Sequence, residues 1–115
     1  MLARKFRVKR EMFPALTKKG TVFHEPSMTV RFLKQAESFS RFGVVVPKSV
    51  SRKASARNLL KRRLWSCIQE NQARIVPSFD IVFFMKKGSE KLAFSDLKIV
   101  FSEILKKFEN RTVSS

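Results

Sequence analysis

The side chains with the most chemistry to offer in this sequence are cations, and they are gathered rather than scattered. No Asp or Glu lies between Glu37 and Glu70, yet Arg41, Lys48, Arg52, Lys53, Arg57, Lys61, Arg62 and Arg63 all fall there. A solvated helix face ordinarily interleaves both signs through i to i+4 pairs, and this stretch has no acid close enough to do so. Arg57 and Asn58 place a planar bidentate donor and an amide at the opening of a helical stretch, where the positive end of the helix favours phosphate oxygens. Lys61 extends the row by one turn. The chemistry on offer is the binding of a polyanion.

Groups for covalent or acid–base catalysis are sparse. His24 is the only histidine, so it can form neither a metal-binding pair nor a triad, and it reads as a surface loop residue. Asp80 and Asp96 are separated by a strand and a turn, with no second acid to complete a carboxylate pair; Asp96 fits the first turn of a helix. Cys67 shares an apolar stripe with Leu64 and Ile68, which points to packing rather than a reactive thiol. As the sole cysteine it excludes an intramolecular disulfide and fits a reducing compartment. No apolar run of the signal-peptide kind follows the basic residues 1–10, and no segment reaches the ~18 to 20 apolar residues of a membrane span. The expectation is a soluble, cytoplasmic protein with no catalytic site and no metal of its own.

Length and charge agree with that reading. A chain of 115 residues with 43% hydrophobic content can bury one core but not two. Its 25 Lys and Arg against 9 Asp and Glu give a formal charge of +16, which exceeds what solubility needs and costs self-repulsion in the compact state. Nucleic acid is the natural partner, because each neutralised phosphate releases counterions. A helix-turn-helix pair, a zinc ligand set and a dimerising heptad are all missing, which favours RNA over DNA.

The elements that must position these cations can be read from periodicity. Residues 6–19 mix basic and apolar types, with Pro14 near the start of a predicted helix and Gly20 at its stop. Three β-prone runs at 21–23, 29–34 and 42–46 predict an antiparallel meander. In the third, Phe42, Val44 and Val46 share the face expected to point inward. A basic amphipathic helix follows at 55–71, with Leu60, Leu64, Cys67 and Ile68 on its apolar stripe and Asn58, Arg62, Trp65 and Gln69 on a flank. Residues 79–85 (FDIVFFM) predict a buried strand. Ser95 is the expected cap of a closing helix, with Leu97, Val100, Phe101, Ile104 and Phe108 inward and Phe94 and Ile99 as a hydrophobic staple. Most of the twelve Phe, among them Phe83, Phe84, Phe101 and Phe108, sit at core-like spacing. The order is α+β, one sheet with a face covered by helices.

The segment VVVPKSVSRKASARNLLKRRL, residues 44–64, resembles the signature of the bacterial ribonuclease P protein family. There a Lys-bearing strand end leads into an Arg-Asn-Arg helix followed by Lys-Arg. Phe13, Lys19-Gly20, the Phe-Asp strand and the closing helix extend the resemblance to nearly the whole chain. It implies a single αβββαβα domain over residues 1–109, with a four-stranded sheet, the basic helix on a left-handed crossover, and a flexible tail at 110–115. It also implies a role: a non-catalytic subunit of a ribonucleoprotein endonuclease that removes the 5′ leader in tRNA processing. The partners would be the catalytic RNA and precursor tRNA, with Mg2+ acting through the RNA and no obligate protein partner. Carried over by position, Arg57, Asn58, Lys61, Arg62 and Arg63 form the RNA-facing helix, and Lys48, Arg52 and Lys53 its approach. Phe13, Arg31, Val45 and Trp65 line a leader cleft. Departures are Leu59 at the usual second Arg, Trp65 and Ser66 in place of an Arg-Glu pair, and Thr17 and Arg31 at positions aromatic in some members. Trp65 offers stacking where charge is lost.

Two rival readings remain. A ribosomal RNA-binding protein would share the charge and fold but not the Arg57, Asn58, Lys61, Arg62 constellation. A protein nuclease would need clustered acids or histidines, which the sequence lacks.

Overall fold

The computed structural model describes residues 3–113. In chain order it runs α1 (Phe13–Lys19), β1 (Thr21–His24), β2 (Met28–Lys34), β3 (Arg41–Val45), α2 (Ala54–Asn71), β4 (Phe79–Met85) and α3 (Phe94–Val113). The four strands make one mixed sheet in the order β1-β2-β4-β3. β1 pairs antiparallel with β2, β2 antiparallel with β4, and β3 parallel with β4.

The expected meander is thus broken after its second strand, because β4 inserts between β2 and β3. The cause is burial. Along β4, Ile81, Phe83 and Met85 are buried on one face and Asp80 and Val82 on the other, and a strand apolar on both faces belongs inside a sheet. β3 carries Arg41 and Gly43 and takes the edge. Its parallel pairing with β4 requires a crossover, which α2 supplies.

The register fixes which side chains share a face. Met28 opposes Met85, Val30 opposes Phe83 and Phe32 opposes Ile81, while Phe42 and Val44 of β3 stand beside Ile81 and Phe83. Onto this face pack Leu60, Leu64, Cys67 and Ile68 of α2 and Leu97, Phe101, Ile104, Leu105 and Phe108 of α3. Phe32 meets Phe108 edge-on at 4.9 Å, and Phe83 meets Phe101 at 5.2 Å, geometries that add to the area they bury. Phe32, Phe42, Phe83, Phe101 and Phe108 are buried in this core, and Phe6, Phe23, Phe79 and Phe94 pack against it. Phe84 differs from expectation: it lies half-buried on the other face, edge-on to Phe13 at 6.5 Å. The radius of gyration, 13.4 Å, matches the ~13 Å of a single domain of this length.

The chain ends also depart from the periodicity. Residues before Phe13 form two single 3-10 turns, Arg4–Phe6 and Arg10–Met12, instead of helix. Between them Val8 N–H donates to the Phe42 carbonyl at 2.8 Å, and Arg7 bridges Phe42 in parallel. This segment covers the free edge of β3, a position that invites pairing. Residue 43, beside it, is glycine: a Cβ there would press on Val82 Cγ2 of β4 at 3.2 Å, while it would meet Val8 Cβ at an ordinary 3.5 Å. At the other end α3 begins at Phe94, so Ser95 is inside its first turn and does not cap it. Ile99 is 58% exposed and staples nothing. The helix continues through Val113, so residues 110–113 are not a loose tail; 114–115 lie outside the described residues. Among the described residues no helix is long and apolar enough to cross a membrane.

One polar contact sets the β3–β4 register. Arg41 Nε and Nη2 donate to the two carboxylate oxygens of Asp80 at 2.7 and 3.0 Å, between residues that are register partners. Asp80 is buried and Arg41 half-buried, so the pair is desolvated and holds by bidentate geometry. Replacing Asp80 by Ala strands the Arg41 charge and should cost about 3 kcal/mol, read as a lower urea midpoint at unchanged m-value. A loss under about 1 kcal/mol would show that the pair does not hold the register.

Candidate nucleic-acid interface

The cations of the acid-free stretch divide into three groups. Arg41 is spent on Asp80. Lys48, in the turn after β3, is exposed, as are Arg52 and Lys53 in the loop leading to α2. Lys53 is the N-cap of α2 and supplies no side-chain acceptor, so the first-turn N–H groups are presented to an outside acceptor at the positive helix end. The loop itself is held from within the helix: Arg57 Nη1 donates to the Ser51 carbonyl at 2.8 Å and to the Arg52 carbonyl at 3.0 Å. Arg57 is therefore half structural, fixing the backbone that displays Arg52 and Lys53.

The third group lies along α2. Residues three and four apart share a helix face, and Ser55, Asn58, Lys61, Arg62 and Trp65 line one surface groove of about 500 Å³. Next to it is a cleft of about 370 Å³ between the helix, β3 and the N-terminal segment, lined by Arg7, Val8, Phe13, Phe42, Gly43, Val44, Lys61 and Trp65. Lys61 and Trp65 line both, so groove and cleft adjoin across these two side chains. No Asp or Glu is among the lining residues of either. The ion pairs Arg41–Asp80, Lys98–Glu70 and Lys107–Glu25 draw on no cation from Lys48 to Arg63.

Arg63 is not brought to this surface. It points along the opposite flank of α2, with its guanidinium 5.6 Å from the Phe94 ring, which Lys98 also approaches at 4.7 Å. Of the expected cleft residues, Phe13 and Trp65 line the cleft directly. Val45 and Arg31 are half-buried on the outer sheet face, Val45 opposite Phe84 and Arg31 opposite Val82, and Phe13 joins them by its contact with Phe84. Trp65 was placed by periodicity on a flank; in the structure it is only 9% exposed, and the Arg7 guanidinium lies over its ring at 5.4 Å. Leu59 and Thr17 are exposed.

Arg7, Val8, Gly43 and Val44 complete the cleft and were not singled out by sequence reasoning. The pairing of residues 7–8 with a strand 35 positions away leaves no local periodicity to read. Cys67 is buried in the helix's apolar stripe. Burial, with Glu70 beside it, pushes its thiol from the ordinary 9.0 up to about 11, so the reactive thiolate is scarce at neutral pH. The folded protein holds this proton more tightly than the unfolded chain, so the associated stability is intact below pH 9 and lost as pH rises towards about 11.

Comparison with known proteins gives one consistent answer. The family model described as Ribonuclease P matches residues 2–109. The ribonuclease P protein component of Synechococcus elongatus is 34% identical over 105 residues, covering 88% of this chain and 81% of that protein. The Streptococcus pneumoniae component is 33% identical, covering 91% and 85%. Among solved structures, the RNase P protein from Thermotoga maritima superposes with a TM-score of 0.81 at 28% identity, covering 88% of this chain and 96% of that one. A Staphylococcus aureus RNase P protein mutant reaches 0.85 at 20% identity, covering 92% and 90%, a likeness of fold.

The placements of Arg57 and Lys61 separate structure from binding. Lys61→Ala removes an exposed cation and should leave stability within ±0.5 kcal/mol, whereas Arg57→Ala releases the 51–52 loop and should cost about 1 to 2 kcal/mol. Equilibrium urea denaturation of both variants checks this; equal stabilities would show that the Arg57 clamp contributes nothing.

Proposed function

The chain belongs to the ribonuclease P protein family, and on that premise we propose that its basic helix and adjoining cleft hold two RNAs together: the catalytic RNA of the enzyme and the 5′ leader of precursor tRNA. As a family member it is the protein subunit of a tRNA-processing endonuclease. The observation that carries the finer reading is that groove and cleft adjoin across Lys61 and Trp65 with no acid in the lining of either. An acid-free groove about one helix face wide suits the phosphates of a folded RNA. The smaller cleft, with the Phe13 ring in its lining, suits an unpaired strand, whose bases can meet ring faces.

In this reading the subunit does no bond chemistry. Asn58, Lys61 and Arg62, with Lys48, Arg52 and Lys53 on the approach loop, neutralise phosphate where leader and catalytic RNA converge, a place at which two polyanions otherwise repel. Among the described residues no three His, Cys, Asp or Glu side chains converge where a cation could sit, and we assign the magnesium that promotes hydrolysis to the RNA. The protein's part is affinity and positioning, which lower the barrier by fixing the substrate near its attack geometry.

Reconstitution tests this. Added to a bacterial ribonuclease P RNA and precursor tRNA at limiting magnesium, the chain should restore cleavage at the mature 5′ end. Absence of stimulation, or cleavage by the protein without RNA, would overturn it.

A further inference from the structure

Resting on the reading of the cleft as the leader's seat, we propose that Arg7 is a phosphate-gripping residue of the cleft and that Trp65 is the positioning residue that presents it. Two independent constraints put Arg7 there. Its backbone is tied to the edge of β3 by the parallel bridge to Phe42 and the following Val8 N–H to Phe42 carbonyl bond of 2.8 Å. Its side chain reaches across to α2, where the guanidinium lies 5.4 Å over the Trp65 ring. An arginine fixed at both backbone and side chain loses less rotamer freedom when it binds than a lysine on an open surface does.

The geometry gives the cleft a cation on each wall. Lys61 projects from the helix and Arg7 from the N-terminal segment, and both line the same cavity of about 370 Å³ with no acid among its lining residues. A strand threaded between them would have its phosphate approached from two sides. A guanidinium held against an indole by cation–π attraction keeps its full charge for an approaching phosphate. Trp65 is too buried to offer a nucleobase a full ring face. It acts through Arg7.

Trp65 is the only tryptophan, so its emission reports this contact inside the intact ribonucleoprotein. The complex reconstituted with bacterial ribonuclease P RNA is titrated with precursor tRNA bearing a single-stranded 5′ leader, and with the same tRNA already trimmed. Wild type should bind the leader-bearing RNA more tightly, and Trp65 emission should change with that RNA only. Arg7→Ala should remove roughly tenfold of the leader preference. Arg7→Gln, which keeps the stem and the backbone pairing with Phe42, should give the same loss, and Arg7→Lys should recover part of it. Trp65→Leu should lose a smaller part, and adding Arg7→Ala to it should cost less than Arg7→Ala alone. If wild type shows the leader preference and both Arg7→Ala and Arg7→Gln retain it, the proposal is wrong while the cleft reading stands. A wild-type complex indifferent to the leader overturns both.

Discussion

β4 carries apolar side chains on both of its faces, and a strand of that kind can lie only where both faces are covered. The rest of the interface depends on this. With β4 between β2 and β3, the third strand is forced to the edge and runs parallel to its neighbour. A parallel neighbour cannot be reached by a hairpin, so the eighteen residues of α2 become the crossover. Its apolar stripe is drawn onto the inner face of the sheet, which leaves Lys61 outward beside the β3 edge, Arg62 in the adjoining groove and Arg63 on the opposite flank. The Arg41–Asp80 pair spans the register of that edge, and the Val8 N–H bond to the Phe42 carbonyl holds the N-terminal segment against it. A cleft walled by three separate parts of the chain results from one strand's need for burial.

The charge distribution is the second half of the same arrangement. Concentrating cations on one helix without compensating acids destabilises the free protein, and the structure keeps its ion pairs elsewhere: on the β3–β4 ladder, between α2's end and α3, and between α3 and the loop after β1. The uncompensated helix is stable because its other face is anchored by Leu60, Leu64, Cys67 and Ile68, whose burial is non-directional and not weakened by ionic screening. The cation-bearing side can therefore be specialised for a partner's charge while the core-facing side carries the fold.

Much of this was legible in the sequence because it is periodic. The apolar stripe of α2, the bounds of β4 and the inward set of α3 follow from spacings of 3.6 and 2, and the acid-free interval needs only counting. What periodicity could not reach is pairing between distant segments. Nothing local distinguishes a third meander strand from an edge strand parallel to a later one, so periodicity alone puts β3 in a meander that the sheet does not form. For the same reason residues 6–12 read as helix although their backbone completes the β3 edge. Charge alone does not reveal a commitment: Arg41 and Arg63 look like their neighbours until Asp80 and Phe94 are seen beside them. Trp65 reads as a stacking residue from sequence because a flank position says nothing of what crosses over it.

On the proposed reading, phosphate is held by the particular cations that line the α2 groove. The most direct test is the salt dependence of binding to bacterial ribonuclease P RNA, for the wild-type chain and for the Lys61→Ala, Arg62→Ala double variant. With about six phosphate contacts, log K against log salt should fall with a slope on the order of −4 to −5, and the double variant should be flatter by about 1.5. A slope near zero for the wild type, or an identical slope for the variant, would contradict the account.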